Sequence, residues 1–310
     1  MPGQRCEVFS TPAGNCGSEA TSICWIRIPD PLKISPEGKA IDPIIRWAGS
    51  KRKLLPRLSQ CVPVGFGKYV EPFAGSACLF FSLNPSAAVL GDFNSELMHA
   101  YSEISRDPTK VYELVCAFPR RKADYYKIRE LNPADLAPST RAARFLYLNR
   151  YCFNGVYRTN RQGHFNVPRG KDTGTVPSLQ SFIQCSSALR RAKLICGDFE
   201  AALRTVEKND FVYLDPPYAK ADDRYSGEYG YGAFSSIDLE RLFAQLERIE
   251  SLGATFLLSY RYSNCIHQEL RRWNTAVLSV RRHVAGFCSS RRVVRELLAS
   301  NRPIRKPRKR

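Results

Sequence analysis

The chain has 310 residues and a formal net charge of +18, because 47 Lys and Arg face 29 Asp and Glu. This length suits one large domain or one domain with a sizeable insertion. The residues from 302 to 310 hold six basic side chains and no acidic one, and the rest of the chain is still basic. The surplus favours a polyanionic partner, although a surface rich in solvated Arg gives the same charge.

Composition also excludes several classes of protein. The eleven cysteines are odd in number and form no Cys-x-x-Cys pair, which argues against a disulfide framework or zinc site and favours a reducing cytoplasm. The four histidines show no metal-ligand spacing, so we expect no metal. No apolar run approaches the roughly 18 residues that cross a bilayer, and the chain starts without a signal-peptide pattern, so we expect no membrane role.

The two ends of the chain lack regular patterns. Residues 1–40 mix Gly, Pro, Ser, Thr and Cys without periodicity, which predicts a poorly ordered N-terminal extension. Residues 301–310 form a basic tail, which either holds DNA nonspecifically or is a solvated end.

The first regular elements predict a βαβ unit. Residues 68–73 read as a buried strand, 77–83 as a short helix and 87–92 as a second strand. Asp92 ends this second strand, 17 residues after Gly75 in the intervening turn. That spacing is close to the spacing in nucleotide-binding α/β folds.

Alternation of strand and helix resumes after an interruption. Residues 192–197, 210–214 and 254–259 read as strands, and 238–252 as a helix with one apolar face. The stretch between, 119–190, is rich in Arg, Asn and Tyr and has no long apolar strand.

These patterns predict an α/β protein with a Rossmann-like sheet and an insertion. We expect residues 41–118 and 191–300 to form the catalytic domain. We interpret residues 119–190 as an inserted, mainly helical domain with a β-hairpin.

The sharpest motif is Asp215-Pro216-Pro217-Tyr218, which follows an apolar strand where open α/β sheets bind ligands. The chemistry that would need these groups is attack by the exocyclic amine of adenine. This amine is a poor nucleophile because its lone pair is delocalised into the ring. Asp215 and the Pro216 carbonyl can accept hydrogen bonds from the two N6 hydrogens, and Tyr218 can stack on the base. Because N6 within a duplex cannot reach a buried methyl donor, the base would have to flip out.

With these motifs in order, the chain from about residue 43 to 303 resembles the Dam-like, D12-type DNA N6-adenine methyltransferases of class alpha. Ile45 to Lys51 is similar to the family's WAGGK-type segment, with Ser50 in place of the second Gly. Residues 70–75 match its cofactor loop, and 91–94 its ADIN-type segment.

The resemblance implies an S-adenosylmethionine-dependent methyltransferase fold and a set of cofactor-binding residues. These are Trp47, Lys51, Glu71, Phe73, Gly75, Asp92, Asp198 and Asp215. Asp92 would bind the ribose hydroxyls. Asp198 would line the adenine pocket, although a helix cap explains it equally well.

Residues 145–160 and 163–168 resemble the family's target-recognition region. From the residues alone, Arg158 could reach guanine while Phe153 or Tyr157 packs against opened bases, or the aromatics could merely stabilise a hairpin. Methyltransferases that share the Asn-Gly-x-x-Arg-x-Asn arrangement commonly recognise GATC. The implied DNA-binding residues are Arg46, Phe153, Asn154, Val156, Tyr157, Arg158, Asn160 and Pro168.

Two segments depart from the family pattern. Tyr260 stands where relatives often carry Asn after Ser, which predicts a changed pocket wall. Residues 285–288 differ from the family's polar loop, although residues 289–298 resemble its C-terminal signature.

The sequence therefore predicts a site-specific DNA adenine methyltransferase, monomeric, without an obligate protein partner and encoded by a bacterium or phage. Asp215, Pro216 and Tyr218 are the predicted catalytic residues. The alternatives are an N6-adenine methyltransferase that acts on RNA and a catalytically inactive DNA-binding protein of the same fold.

Overall fold

The computed structural model describes residues 40–160, 162–171, 174–219, 234–283 and 291–304. The predicted N-terminal extension lies outside the described residues except for Ala40. The departing loop at 285–288 and most of the basic tail also lie outside them.

Seven strands form one sheet in the described residues, in the order β3-β2-β1-β4-β5-β7-β6. They are β1 (Tyr69–Glu71), β2 (Ala88–Asp92), β3 (Ala192–Cys196), β4 (Phe211–Leu214), β5 (Thr255–Arg261), β6 (Asn274–His283) and β7 (Arg291–Ser300). The first five are parallel, whereas β7 runs antiparallel between β5 and β6. The strand order reverses between β1 and β4, which is where such sheets bind ligands.

Helices follow the strands and cover both faces of the sheet. They are α1 (Leu55–Leu58), α2 (Cys78–Leu83), α3 (Ser95–Arg106), α4 (Pro108–Ala117), α5 (Lys122–Glu130), α6 (Pro138–Tyr151), α7 (Leu179–Leu189), α8 (Phe199–Leu203), α9 (Ser236–Ser251) and α10 (Asn264–Glu269). Short 3-10 segments cover Arg52–Leu54, Ser59–Cys61, Pro133–Asp135, Phe153–Gly155 and Leu270–Arg272. Within the described residues, no helix combines the length and apolar character that crossing a membrane requires.

Local chemistry sets several element boundaries. The first predicted strand ends at Glu71, one residue before Pro72, which has no N–H for a ladder bond. The predicted helix at 238–252 begins two residues earlier because Ser235 and Asp238 form a reciprocal capping box. Asn94 caps α3 by accepting a hydrogen bond from the Leu97 N–H.

Successive residues of the central strands enter two different cores. Tyr69 and Phe211 pack with the helices on one face. Their neighbours Val70 and Val212 pack on the opposite face, where α8 and α9 lie. This alternation explains why these strands read as continuous apolar runs, since both sides are buried. The predicted Rossmann-like fold is confirmed.

The insertion 119–190 packs into the body of the protein. Ala142 and Phe145 of α6 and Phe182 of α7 belong to the core that covers one face of the sheet. A smaller core within the insertion includes Tyr125 and Tyr147. The predicted hairpin region contains two isolated antiparallel bridges rather than extended strands. A separate recognition domain therefore stays a prediction.

Candidate active site

A cavity of about 1080 Å³ lies beyond the carboxyl ends of β1, β2 and β4. All of the predicted cofactor-binding and catalytic residues line it, namely Trp47, Lys51, Glu71, Phe73, Gly75, Asp92, Asp198, Asp215, Pro216 and Tyr218. These residues come from five separate stretches of the chain. The topological switch of the sheet brings them together.

The loop after β1 makes a tight turn at one glycine. Gly75 has φ of +47°, and a Cβ there would lie 2.7 Å from the Trp47 ring. The Gly75 carbonyl accepts a hydrogen bond of 2.7 Å from the Tyr101 hydroxyl. Glycine is required here for both backbone conformation and space.

Asp92 holds that loop from the neighbouring strand. Its carboxylate accepts hydrogen bonds of 2.9 Å from the backbone N–H groups of Gly75 and Asn94. Burial raises the pKa of Asp92, and these hydrogen bonds oppose the rise. The contact between Asp92 and a ribose stays a prediction.

Glu71 adds a second buried carboxyl group to the cavity wall. It accepts a hydrogen bond of 2.9 Å from the Tyr69 hydroxyl. Burial raises the pKa of Glu71 well above its ordinary value, and nearby Asp215 and Asp92 raise it further. A ligand with positive charge would relieve this carboxyl repulsion.

Lys51 links two carboxylates at the back of the site. Its Nζ lies 2.5 Å from Asp215 Oδ1 and 3.3 Å from Glu296 Oε1. Burial lowers the pKa of Lys51, but Asp215, Tyr218 and Glu296 outweigh burial and raise it. Lys51 is therefore a fixed cation beside the predicted catalytic carboxylate.

Tyr260, the departure from the family pattern, supports the segment that follows Asp215. Its ring packs edge-on against Tyr218, with centroids 5.4 Å apart. The Tyr260 hydroxyl accepts a hydrogen bond of 2.8 Å from the Ala219 N–H. Tyr260 thus packs behind Tyr218 without lining the cavity, and a changed pocket wall stays a prediction.

Asp198 has structural partners that compete with its predicted cofactor role. Its carboxylate caps α8 through the Glu200 N–H at 2.9 Å and pairs with Arg241 at 2.8 Å. Nearby, the Phe73 ring stacks on Phe199 with centroids 5.4 Å apart. Both the helix cap and a place in the cavity wall are therefore observed for Asp198.

We refer to residues 153–160 and 162–168 as the recognition segment. Phe153, Asn154 and Pro168 are exposed. Asn154 has φ of +56°, which Asn tolerates better than most residues. The Phe153 N–H donates to the Pro168 carbonyl at 2.8 Å, so these outer positions are held together.

Other predicted DNA-binding residues have internal partners. Arg158 Nε donates to Asn166 Oδ1 at 2.9 Å. The Asn160 side-chain oxygen accepts hydrogen bonds from the backbone N–H groups of Gln162 and His164, so it stabilises the turn. Val156 is half-buried beside them.

Tyr157 lies inside the cavity wall instead of at the exposed end. Its ring stacks on Trp47, with centroids 5.8 Å apart and planes 20° apart. Phe145 and Phe165 pack against its other sides, and burial raises its pKa to about 12. A direct contact between Tyr157 and DNA stays a prediction.

Arg46 lies beside a second cavity, of about 580 Å³, that Asn154 and Arg150 also line. The Asn149 side chain fixes the Arg46 backbone through hydrogen bonds of 2.9 and 2.6 Å. Arg46 and Asn154 are therefore neighbours, although they are far apart in sequence.

Sequence reasoning missed three residues of the main site. Phe93, directly after Asp92, is 70% exposed and lines the cavity. Within the described residues, the buried Tyr213 hydroxyl has no hydrogen-bond partner, and Tyr213 also lines the cavity. The third, Glu296, reaches the site through its contact with Lys51, and it stands in a strand with several charged residues, so the sequence gives no clear signal of its burial.

These features fit S-adenosylmethionine as a ligand. The molecule carries a sulfonium and an ammonium, and the cavity offers the carboxyl groups of Glu71 and Asp215. The exposed Phe93 ring offers an apolar face to a purine. The buried Tyr213 hydroxyl is a donor that a polar ligand would satisfy.

Comparison with known proteins agrees with the site. Residues 47–284 match the family model described as D12 class N6 adenine-specific DNA methyltransferase. The chain belongs to this family.

Several named methyltransferases are similar to this chain over most of its length. A Type II methyltransferase, M1.LlaDCHI of Lactococcus lactis subsp. cremoris, is 31% identical over 84% of this chain and 95% of its own. The DNA adenine methylase of Salmonella typhi is 30% identical over the same shares. The DNA N-6-adenine-methyltransferase of Escherichia phage P1 is 30% identical over 73% of this chain but 31% of its own length. Membership of the family supports methylation of adenine in DNA.

Proposed function

We propose that this protein transfers a methyl group from S-adenosylmethionine to N6 of an adenine that has flipped out of duplex DNA, within GATC. The observation that supports this most strongly is the position of Asp215 and Tyr218. Both line the same cavity as the Gly75 loop and Asp92. A base and a methyl donor can thus meet in one cavity.

The cofactor would lie against the inner part of this cavity. Gly75 and Asp92 would hold its ribose end, while Glu71 and Lys51 would face its amino-acid end. When bound, S-adenosylmethionine supplies an electrophilic methyl group on a sulfonium.

The catalytic motif would prepare the attacking nitrogen. Asp215 and the Pro216 carbonyl accept hydrogen bonds from the two N6 hydrogens, which makes the nitrogen lone pair available. Tyr218 holds the flat base by stacking. Lys51 pairs with Asp215 through an Nζ–Oδ1 distance of 2.5 Å and so holds this carboxylate in place.

The recognition segment would read the site. Phe153 and Asn154 are exposed and could occupy the space that the flipped base leaves in the duplex. Arg158 carries a guanidinium group, which is the group that commonly binds guanine in the major groove. Arg46 borders the cavity beside Asn154 and adds positive charge. We expect Val156, Asn160 and Pro168 to shape this surface.

We further propose that the protein acts as a monomer on double-stranded DNA in the cytoplasm of a bacterium or phage-infected cell. The basic net charge of +18 favours this partner. The hosts of the relatives named above are consistent with this setting.

The test is transfer of labelled methyl from S-adenosylmethionine to three matched substrates. These are a duplex with one GATC, the same duplex with the adenine replaced by guanine, and an RNA of the same sequence. We expect N6-methyladenine only in the first, identified by mass spectrometry of the nucleosides.

Each other outcome selects an alternative. Preferential transfer to RNA would identify an RNA methyltransferase. Tight DNA binding without transfer to any substrate would identify a binding protein of the same fold. Equal transfer to a duplex that lacks GATC would contradict the proposed recognition sequence but not the methyltransferase activity.

A further inference from the structure

Glu296 is a buried acid at the start of a buried stretch of β7, directly after the exposed Arg295. It lies on β7, has no exposed surface, and is followed by the buried residues Leu297 and Leu298. Burying a carboxylate costs free energy unless its charge and hydrogen-bonding capacity are matched. An apolar residue would pack there at lower cost, so a role for the charge is expected.

Among the described residues, three donors from three parts of the fold contact this carboxylate. Ser259 Oγ of β5 donates to Oε1 at 3.0 Å. The Tyr218 hydroxyl lies 3.3 and 3.4 Å from the two oxygens. Lys51 Nζ lies 3.3 Å from Oε1.

Two of these donors belong to the catalytic site. Tyr218 is the predicted stacking ring, and Lys51 also contacts Asp215 at 2.5 Å. Glu296 is therefore connected directly to the ring and, through one lysine, to the carboxylate that would accept the N6 hydrogens. Glu296 therefore links the two groups that would hold one base.

We propose that Glu296 is a positioning residue that fixes Asp215 and Tyr218 relative to each other, and the reaction it serves is the one proposed above. The lysine side chain has four rotatable bonds, so contact with Asp215 alone would let the ammonium group occupy several positions. Contact with Glu296 as well restricts the Lys51 ammonium group to positions between the two carboxylates. The hydrogen bond that the Tyr218 hydroxyl donates to Glu296 limits the tilt of the Tyr218 ring.

The experiment compares Glu296→Gln with a matched substitution elsewhere. Gln keeps the volume of Glu and can still accept the Ser259 hydrogen bond, but it removes the charge. The control is Glu103→Gln, because Glu103 is also buried and holds Arg106 and Ser139 outside the site. Ser259→Ala, which removes one donor to Glu296, is the second test variant.

Two readouts separate positioning from general stability. The first is kcat and KM on the GATC duplex. The second is the NMR chemical shift of the Lys51 ammonium group at neutral pH in protein with 13C,15N-labelled lysine, with the Lys51 signal assigned by its loss in Lys51→Arg. The second readout needs no activity.

We expect Glu296→Gln to lower kcat at least about tenfold, since small misplacements of reacting groups are costly. Its KM for S-adenosylmethionine should stay within about threefold. The Lys51 signal should move towards the chemical shift of exposed lysines, because one of its anionic partners is gone. Ser259→Ala should lower kcat in the same direction but less, and Glu103→Gln should change kcat less than about twofold.

Three results would overturn the inference. They are an unchanged Lys51 chemical shift, a kcat within about twofold of the unaltered protein, and equal losses of kcat and melting temperature in the Gln variants at 296 and 103. If Glu296→Gln does not fold, a Ser259→Ala variant with unaltered kcat is the contradicting result. If the unaltered protein transfers no methyl, the proposed function fails, while the Lys51 chemical shift still decides whether Glu296 holds Lys51.

Discussion

The inner wall of the cavity and the recognition segment are held in different ways. The inner wall, which we define as Lys51, Gly75, Asp92 and Asp215, is fixed by hydrogen bonds and ion pairs between separate strands and loops. The recognition segment contains one isolated bridge, between Thr159 and Phe165, and hydrogen bonds within its own turn, while the Tyr157 ring packs against the cavity wall. Its outer side chains at Phe153, Asn154 and Pro168 face solvent.

This difference matches two different physical demands. Stabilising developing charge requires groups that are already in place, because reorganisation during the reaction costs free energy. Reading a sequence requires side chains that can reach base edges and are not consumed by the fold. Substitutions in the two regions should therefore affect different measured quantities.

The largest effect is expected from Asp215→Ala. Removing the acceptor for the N6 hydrogens should lower kcat at least about a hundredfold. DNA affinity should stay within about threefold, because phosphate contacts are made elsewhere. Single-turnover methyl transfer and a gel-shift titration measure the two quantities. Asp215→Asn, which retains an acceptor oxygen, should keep more activity than Ala, and near-normal turnover in the Ala variant would remove Asp215 from the mechanism.

The next effect tests whether the inner wall needs its backbone geometry. In Gly75→Ala the new Cβ would meet the Trp47 ring at 2.7 Å, and the φ of +47° is strained for Ala. We expect the Kd for S-adenosylmethionine to rise at least about tenfold, measured by calorimetry. Gly65→Ala is the matched control, because Gly65 has φ of +68° with nothing within 4 Å of a Cβ. Equal effects at the two positions would mean that strain alone, without the Trp47 contact, sets cofactor affinity.

Arg158→Ala tests the other region. Loss of a contact to guanine should reduce the discrimination between GATC and a site in which that guanine is changed. The expected reduction is roughly 10- to 100-fold. The rate on GATC at saturation should fall less than in Asp215→Ala. Arg120→Ala removes an exposed guanidinium from the same insertion and should weaken all DNA about equally. Unchanged discrimination in Arg158→Ala would assign sequence reading to other residues.

The smallest effect concerns stability and pH at Glu71. Burial raises the pKa of Glu71, so the folded protein favours its protonated form. Its contribution to stability is present below its ordinary pKa and is lost as pH rises through the folded pKa. Glu71→Gln removes this loss. In urea unfolding, the free energy of the variant relative to the unaltered protein should rise from pH 5 to pH 8.

Glu113→Gln, on the exposed surface of α4, provides the comparison for Glu71 and should give no such trend. A relative stability that is flat for Glu71→Gln between the same two pH values would contradict an influence of burial on that carboxyl group.

Local patterns in the sequence predict much of the fold. The strand ending at Leu214 and the strand ending at Asp92 are predictable because both are short apolar runs before polar turns. The ligand-binding edge follows from their shared direction. Asp215 and Gly75 can therefore be assigned to one cavity from the amino-acid sequence alone.

Long-range packing is not predictable in the same way. The pairing of β7 between β5 and β6 depends on contacts between distant residues, and charged residues obscure the alternation in these strands. The burial of α6 and α7 in the main core is also hidden, since an insertion in sequence need not be separate in space. In the sequence Glu296 is only one residue of a C-terminal pattern, because its three donors lie in other segments.

The Trp47 ring lies between Gly75 on one side and Tyr157 on the other. A chimera that received the recognition segment of a relative would therefore also replace one support of its own cofactor loop. Exchanging target specificity would then require keeping an aromatic side chain at 157, or changing Trp47 together with the transplanted residues. The stacked rings of Trp47 and Tyr157 would thus couple a change of recognition segment to the wall of the cavity.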